Sequence, residues 1–87
     1  MNALLINEND NVVTVLYDVS KEDFIIYLKA GVMHKVKVVQ NIPAFHKVSI
    51  QKINEMQEVI KYGYCIGKAR TLINVGEHVH CHNLSSL

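Results

Sequence analysis

Residues 59–84 read VIKYGYCIGKARTLINVGEHVHCHNL, and this stretch decides the predicted fold. Valine, isoleucine and tyrosine, which favour strands, recur in it. Glycines at positions 63, 67 and 76 punctuate short extended pieces at residues 59–62, 64–69 and 77–83. Glycine within such a pattern is typical of bulges and tight bends. The stretch therefore predicts short strands that bend sharply at glycine-marked corners.

Upstream of this stretch, apolar and polar residues alternate with a period of two. The pattern covers residues 12–17, 32–39 and 47–53, each of which we predict as a strand. Residues 24–28 form a continuous apolar run that fits a helix or a strand equally well. Pro43 interrupts the pattern because it cannot donate a ladder hydrogen bond.

About seven short strands with bent corners predict a mostly β protein, a single small domain spanning residues 1–87. Residues 54–58 are polar and could form one helical turn. We detect no internal repeat, and we expect residues 85–87 to be a frayed end or the point where a partner begins.

Composition and charge exclude several classes of function. Nine basic and eight acidic residues leave a net charge of +1 without a basic stripe, so we expect no nucleic-acid binding. Lys35 and Lys37 share a strand face and are interpreted as protection of a sheet edge. Neither a signal peptide nor an apolar run of ~20 residues is present, so we expect a cytoplasmic protein without membrane association.

Apolar residues make up 49% of the chain, and the mean hydropathy is +0.11. Two interpretations remain open for so apolar a small domain, an unusually apolar core or a surface covered by a partner, including a second copy of the chain. Cys65 and Cys81 are not in a C-x-x-C spacing. We expect them to be reduced, partly buried and structural, with Cys81 facing away from the histidines.

Three alternate histidines stand out as candidates for chemistry. On a straight strand, His78, His80 and His82 project from one face, with neighbouring Cα atoms roughly 6.6–6.8 Å apart. Two imidazoles at this spacing can bind one metal ion, whereas all three would require a bend. His46 is a further candidate if its strand lies alongside. The alternative is a solvated strand face on which these histidines contact only water. Glu77, next to His78, is either a general base or a solvated carboxylate.

Several motifs together resemble a known family. Residues 59–63 (VIKYG), 66–69 (IGKA) and 76–84 (GEHVHCHNL) are similar to the N-terminal domain of altronate and galactarate dehydratases. Residues 42–48 (IPAFHKV) resemble the family pattern I-P-x-G-H-K-V, and residues 3–7 with 10–12 resemble its opening. Phe45 replaces the usual glycine of that pattern. Because phenylalanine does not readily take a positive φ, we expect the turn before His46 to differ.

The resemblance implies a SAF domain of the β-clip type, serving as a stand-alone small subunit of a hydro-lyase that dehydrates sugar acids such as altronate or galactarate. It also implies a divalent metal, commonly Fe2+, and a large dehydratase subunit that shares the substrate cleft. Within this interpretation His46 and His80 are the catalytic candidates, and two of His78, His80 and His82 are the metal ligands. The alternatives are a subunit of a sulfolactate-type lyase and a non-catalytic SAF module that binds a carbohydrate or protein. A self-sufficient lyase has the least support, since no complete acid–base–metal set is visible.

Overall fold

The computed structural model describes residues 1–86, and it contains nine strands and no helix in that range. The strands are β1 (Ala3–Leu4), β2 (Val12–Val15), β3 (Phe24–Lys29), β4 (Val32–Lys37), β5 (Lys47–Ser49), β6 (Glu58–Lys61), β7 (Tyr64–Ala69), β8 (His78–Val79) and β9 (Leu84–Ser86). The prediction of a mostly β fold is confirmed. With no helix in the described residues, none is available to span a membrane.

The strands form three small antiparallel sheets. The central sheet has the order β1-β2-β5-β8, the hairpin β3-β4 stands beside it, and the third sheet has the order β6-β7-β9. Because side chains alternate along a strand, β2 directs Val13 and Val15 into one apolar cluster and Val12 into another. The central sheet is therefore buried on both faces, the first against the hairpin and the second against the third sheet.

Four turns in the chain share one backbone geometry. Each begins after a buried β-branched residue, and these residues pair as two isolated bridges, Val19 with Ile42 and Ile53 with Ile73. The residue three positions after the β-branched one has a positive φ. The N–H of the residue that follows it donates to the carbonyl oxygen three residues earlier in the chain, as in a type II turn. The positive-φ residues are Glu22, Phe45, Met56 and Gly76, with φ of 78°, 69°, 70° and 88°.

Each of these turns holds one residue of a neighbouring segment by two backbone hydrogen bonds. Phe45 N–H donates to the Val15 carbonyl oxygen, while Val15 N–H donates to the carbonyl oxygen of His46 (2.8 and 3.0 Å). The other three turns hold Val38, Ala69 and Ser49 in the same way. The prediction of no internal repeat is therefore wrong at the level of structure. The repeat escaped detection because it is short and keeps only two positions, buried β-branched residues six apart: Val19 and Ile25, Ile42 and Val48, Ile53 and Val59, Ile73 and Val79.

The turn before His46 corrects a second expectation. Phe45 adopts φ 69°, close to the 88° of Gly76 in the equivalent turn, so the geometry expected of a glycine is kept. The Phe45 side chain is 73% exposed. Position 76, in contrast, does not accept a side chain, because a Cβ there would collide with the carbonyl oxygen of Lys37. The predicted change in this turn is wrong, and the domain carries a strained, exposed aromatic residue beside His46.

Several predicted elements have different bounds. The apolar run 24–28 lies in strand β3, and residues 55–56 form a turn instead of a helical turn. Strands β1 and β9 were not predicted. Because β9 pairs with β7, the prediction of a frayed end is wrong for residues 85–86. Leu87, also predicted as frayed, lies outside the described residues. Two- and three-residue strands are too short to show a period, and only their partners identify them.

Candidate metal centre

The pairing of β5 with β8 brings two distant histidines together. In this antiparallel pair Lys47 lies opposite Val79 and Val48 lies opposite His78. One step beyond the ladder, His46 therefore faces His80. His78, two residues before His80, projects from the same face of the sheet. The sequence expectation that His46 joins the site if its strand lies alongside fits this register.

The three imidazoles of His46, His78 and His80 form a compact group. The ring centroid of His46 lies 4.2 Å from that of His80 and 5.1 Å from that of His78, with interplanar angles of 18° and 26°. Nδ1 of His46 lies 2.9 Å from Nε2 of His78. Each residue can offer one nitrogen such that all three nitrogens lie within 4.8 Å of one another. We call this group the histidine cluster.

His82 does not extend the cluster as a straight strand would. Strand β8 ends at Val79, and residues 81–83 form a turn, so the predicted strand at 77–83 is wrong. The turn returns the His82 ring to 5.3 Å from the His78 ring, tilted by 40°. His82 is exposed and lies outside the group of three convergent nitrogens. Of the three predicted metal ligands, the structure brings together His78 and His80, and His46 supplies the third nitrogen.

The electrostatic environment keeps His78 and His80 uncharged. Partial burial and then the neighbouring His46, His82, His80 and Lys47, in that order, together lower the pKa of His78 to about 4. Partial desolvation, followed by His46, Lys47 and His82, also lowers the pKa of His80. Both imidazoles are therefore neutral at pH 7, which is the form that binds metal ions.

The donor set fits a divalent transition metal. Three imidazole nitrogens at ~2.0–2.1 Å from one ion lie about 3 Å from one another, and the His46–His78 pair already has this separation. Imidazole suits zinc, copper, iron and nickel, and three protein ligands leave a coordination position for substrate. The three histidines are half-buried, so the group is accessible from solvent.

The other residues considered from the sequence, Glu77 and the two cysteines, do not belong to the histidine cluster. The Glu77 carboxylate accepts hydrogen bonds from the backbone and side-chain amides of Asn74, so it stabilises its own turn. Cys65 is half-buried, with its Sγ 3.3 Å from the Gly67 carbonyl oxygen. Cys81 is exposed, so the prediction that it is a buried small hydrophobe is wrong. The shortened strand β8 explains the error, because position 81 lies in a turn.

Sequence reasoning missed three residues around the cluster. Gln40 and Asn83 hydrogen-bond to the backbone of the histidines. Lys47 is half-buried, and burial together with Lys61 lowers its pKa. Two of them lie in motifs noted from the sequence: Asn83 in residues 76–84, and Lys47, next to His46, in residues 42–48. Gln40 lies in neither motif, and only the fold brings it to the backbone of His78.

The fold and the site define a small, all-β domain with a histidine centre at the end of one strand pair. The chain belongs to the family of altronate/galactarate dehydratase SAF domains, whose pattern matches residues 1–87. The resemblance stated from the sequence motifs is thereby confirmed.

Two curated relatives are similar to the chain. Altronate dehydratase of Bacillus subtilis (strain 168) is 38% identical over 78 residues, which make up 90% of this chain and 15% of that enzyme. The (2R)-sulfolactate sulfo-lyase subunit alpha of Chromohalobacter salexigens is 44% identical over 45 residues, 52% of this chain and 48% of that subunit. The aligned part is less than half of either relative.

Proposed function

We propose that this chain is the SAF-domain subunit of a hydro-lyase that removes water from sugar acids such as altronate or galactarate. In this proposal it contributes a metal-binding histidine centre to an active site shared with a larger catalytic polypeptide. The observation that carries the proposal is the histidine cluster, in which His46, His78 and His80 converge within 4.8 Å. The family and the similarity to altronate dehydratase support the reaction class.

His46, His78 and His80 would hold the divalent cation, which by family resemblance is Fe2+. When bound, such an ion acts as a Lewis acid that stabilises negative charge on the substrate. His78 is suited to the role of a permanent ligand, because its pKa near 4 keeps it unprotonated throughout the physiological range. His46 and His80 are the residues proposed to touch the reacting atoms.

The surroundings of the cluster favour an anionic substrate. Imidazoles and Lys47 are the charged or titratable groups that act on His78 and His80, and Lys61 in turn acts on Lys47. The two lysines, next to the neutral His78 and His80, attract the carboxylate of a sugar acid. A lysine that is half-buried beside a second lysine gains from an anion that neutralises it.

In this proposal a second polypeptide completes the active site. Dehydration of a hydroxy acid requires removal of a proton next to the carboxylate and protonation of the departing hydroxyl. A base and an acid poised for both steps are not evident beyond the imidazoles among residues 1–86. Because the three histidines lie at the surface, a partner can cover them and supply the remaining groups.

Complementation tests this proposal. Bacillus subtilis altronate dehydratase lacking the 78-residue segment aligned with this chain would be assayed on altronate alone and mixed with this chain, with Fe2+ present. We expect turnover only from the mixture, and loss of turnover when the chain carries His80→Ala. His34→Ala is the control, because His34 stacks on Tyr27 in the hairpin, in a separate sheet. Turnover by the chain alone, or full activity with His80→Ala, would contradict the proposal.

A second candidate function is a subunit of a sulfolactate-type lyase. The supporting observation is the 44% identity to a sulfo-lyase subunit alpha, itself a separate chain. The same histidine cluster and cationic surroundings suit a sulfonated hydroxy acid, which carries two negative groups. Assaying altronate and (2R)-sulfolactate side by side separates the two substrates.

A further inference from the structure

The turn that follows strand β8 contains a buried amide that hydrogen-bonds to the backbone of two histidines. Asn83 is only 3% exposed, although it lies in a surface turn between the exposed Cys81–His82 pair and strand β9. We propose that Asn83 is the positioning residue of the histidine centre and fixes His78 and His80 in the arrangement that binds a metal ion. This inference rests on the proposed function and adds a residue to it.

The Asn83 side chain holds the backbone of both histidines. Its Oδ1 accepts the N–H of His80 at 3.0 Å, and its Nδ2 donates to the carbonyl oxygen of His78 at 2.8 Å. The carbonyl oxygen of His80 accepts the N–H groups of Asn83 and Leu84 at 3.1 and 3.0 Å. The turn therefore satisfies three of the four backbone polar groups of the two histidines.

The fourth group is satisfied from another part of the chain. The N–H of His78 donates to Oε1 of Gln40 at 2.9 Å. Asn83 is itself anchored, because its carbonyl oxygen accepts the N–H of Arg70 at 2.9 Å. The histidine backbone is thus fixed through Asn83 to the segment that follows β7, which makes Asn83 a rigid support.

The chemistry of the amide explains why this position requires asparagine. The site needs an acceptor and a donor on one short side chain, which only an asparagine amide provides at this reach. Aspartate keeps the acceptor but places a second acceptor against the carbonyl oxygen of His78. Alanine leaves both buried backbone groups without a partner. In either case the turn after β8 relaxes, and His80 moves relative to His46.

A second asparagine provides a matched control. Asn11 is 2% exposed, and its amide also bridges two backbone groups, accepting from the N–H of Ile60 and donating to the carbonyl oxygen of Glu58. It joins strand β6 to the segment before β2, and within residues 1–86 it makes no hydrogen bond to a histidine. Substituting Asn11 removes the same kind of contact without touching the cluster.

The test compares Co2+ affinity of Asn83→Asp, Asn83→Ala and Asn11→Ala with that of the unsubstituted protein, well below each melting temperature. We expect both Asn83 variants to bind Co2+ roughly 10-fold or more weakly and to show an altered visible Co2+ spectrum. Asn11→Ala should lower the melting temperature but change the affinity less than twofold. Unchanged affinity in Asn83→Asp, or an equal loss in Asn11→Ala, would overturn the proposal.

A metal-free measurement separates this inference from the proposed function. In the protein without metal, nuclear Overhauser effects between the His46 and His80 rings report their 4.2 Å stacking. We expect them in the unsubstituted protein and in Asn11→Ala, and expect their loss in Asn83→Asp. If the unsubstituted protein fails to bind Co2+, the proposed metal centre is wrong, while persistence of these effects in Asn83→Asp would overturn the positioning role alone.

Discussion

Nδ1 of His46 lies 2.9 Å from Nε2 of His78, so the two rings share a hydrogen bond across strands β5 and β8. One nitrogen must donate and the other must accept, which leaves room for a single proton between them. Full protonation of both rings would break this bond and place two positive charges in contact. Protonation of His78 is therefore opposed by its burial and by the adjacent His46 ring.

This arrangement predicts a loss of stability in mild acid. His78 has a pKa of about 4 when folded and about 6.5 when unfolded, so between these values the unfolded state binds more protons. Stability contributed by the neutral ring is complete above pH 6.5 and falls as the pH drops toward 4. At this half-buried position solvent screening reduces the contribution to about 1 kcal/mol.

Melting temperatures of the metal-free protein between pH 7 and pH 4 measure this effect. We expect an acid-dependent decrease that exceeds that of His78→Gln by roughly 4–8 °C. His34→Gln is the control and should follow the unsubstituted protein. Parallel curves for the unsubstituted protein and His78→Gln would show that His78 titrates normally.

Replacing Phe45 with glycine should stabilise the domain. A residue other than glycine in the left-handed region costs about 1–2 kcal/mol, while glycine adds an entropic cost of about 0.5–1 kcal/mol on folding. Because Phe45 is largely exposed, little buried apolar contact is lost. We expect a net gain of up to about 1 kcal/mol, measured by urea unfolding. Glu22→Gly, at the equivalent position of another turn, should behave similarly, and clear destabilisation by both substitutions would refute the account of strain.

The two cysteines should differ in reactivity but not in metal binding. Cys81 is exposed and Cys65 is half-buried, so a thiol reagent should modify Cys81 first. Cys81→Ser should leave the melting temperature within about 2 °C, since surface substitutions usually change stability by less than 0.5 kcal/mol. The double variant Cys65→Ser/Cys81→Ser should keep its Co2+ affinity. Loss of metal binding in a folded double variant would identify a thiolate ligand.

The alternating and glycine-marked patterns were sufficient to predict a mostly β fold. Strand β7 also has the predicted bounds, Tyr64–Ala69. They could not predict β1 or β9, because strands of two or three residues are defined by their partners. The same limit applies to the histidines. The two-residue period of a strand predicted that His78 and His80 share one face. The end of that strand, however, depends on the hydrogen bonds from the Asn83 side chain to the backbone of both histidines. The position of His46 follows from a register between segments that are 32 residues apart.

The four equivalent turns show a further limit of sequence patterns. The four turns begin with Ser20, Pro43, Asn54 and Asn74, so only asparagine recurs at this position. Backbone hydrogen bonds to a neighbouring segment stabilise this geometry, so the residues within the turn vary while the buried β-branched residue before it is kept. Gly76 is an exception, since its backbone packs against Lys37 and has no room for a Cβ.

Titration of the purified, metal-free chain with Co2+ tests the central claim most directly. The account predicts saturable binding of about one equivalent. Because three ligands converge on one ion, His46→Ala, His78→Ala and His80→Ala should each weaken binding by roughly 100-fold, whereas His34→Ala should bind normally. His46→Ala is the decisive variant, since its role depends on the fold. Absence of saturable binding, or His46→Ala binding Co2+ as tightly as the unsubstituted chain, would contradict the account.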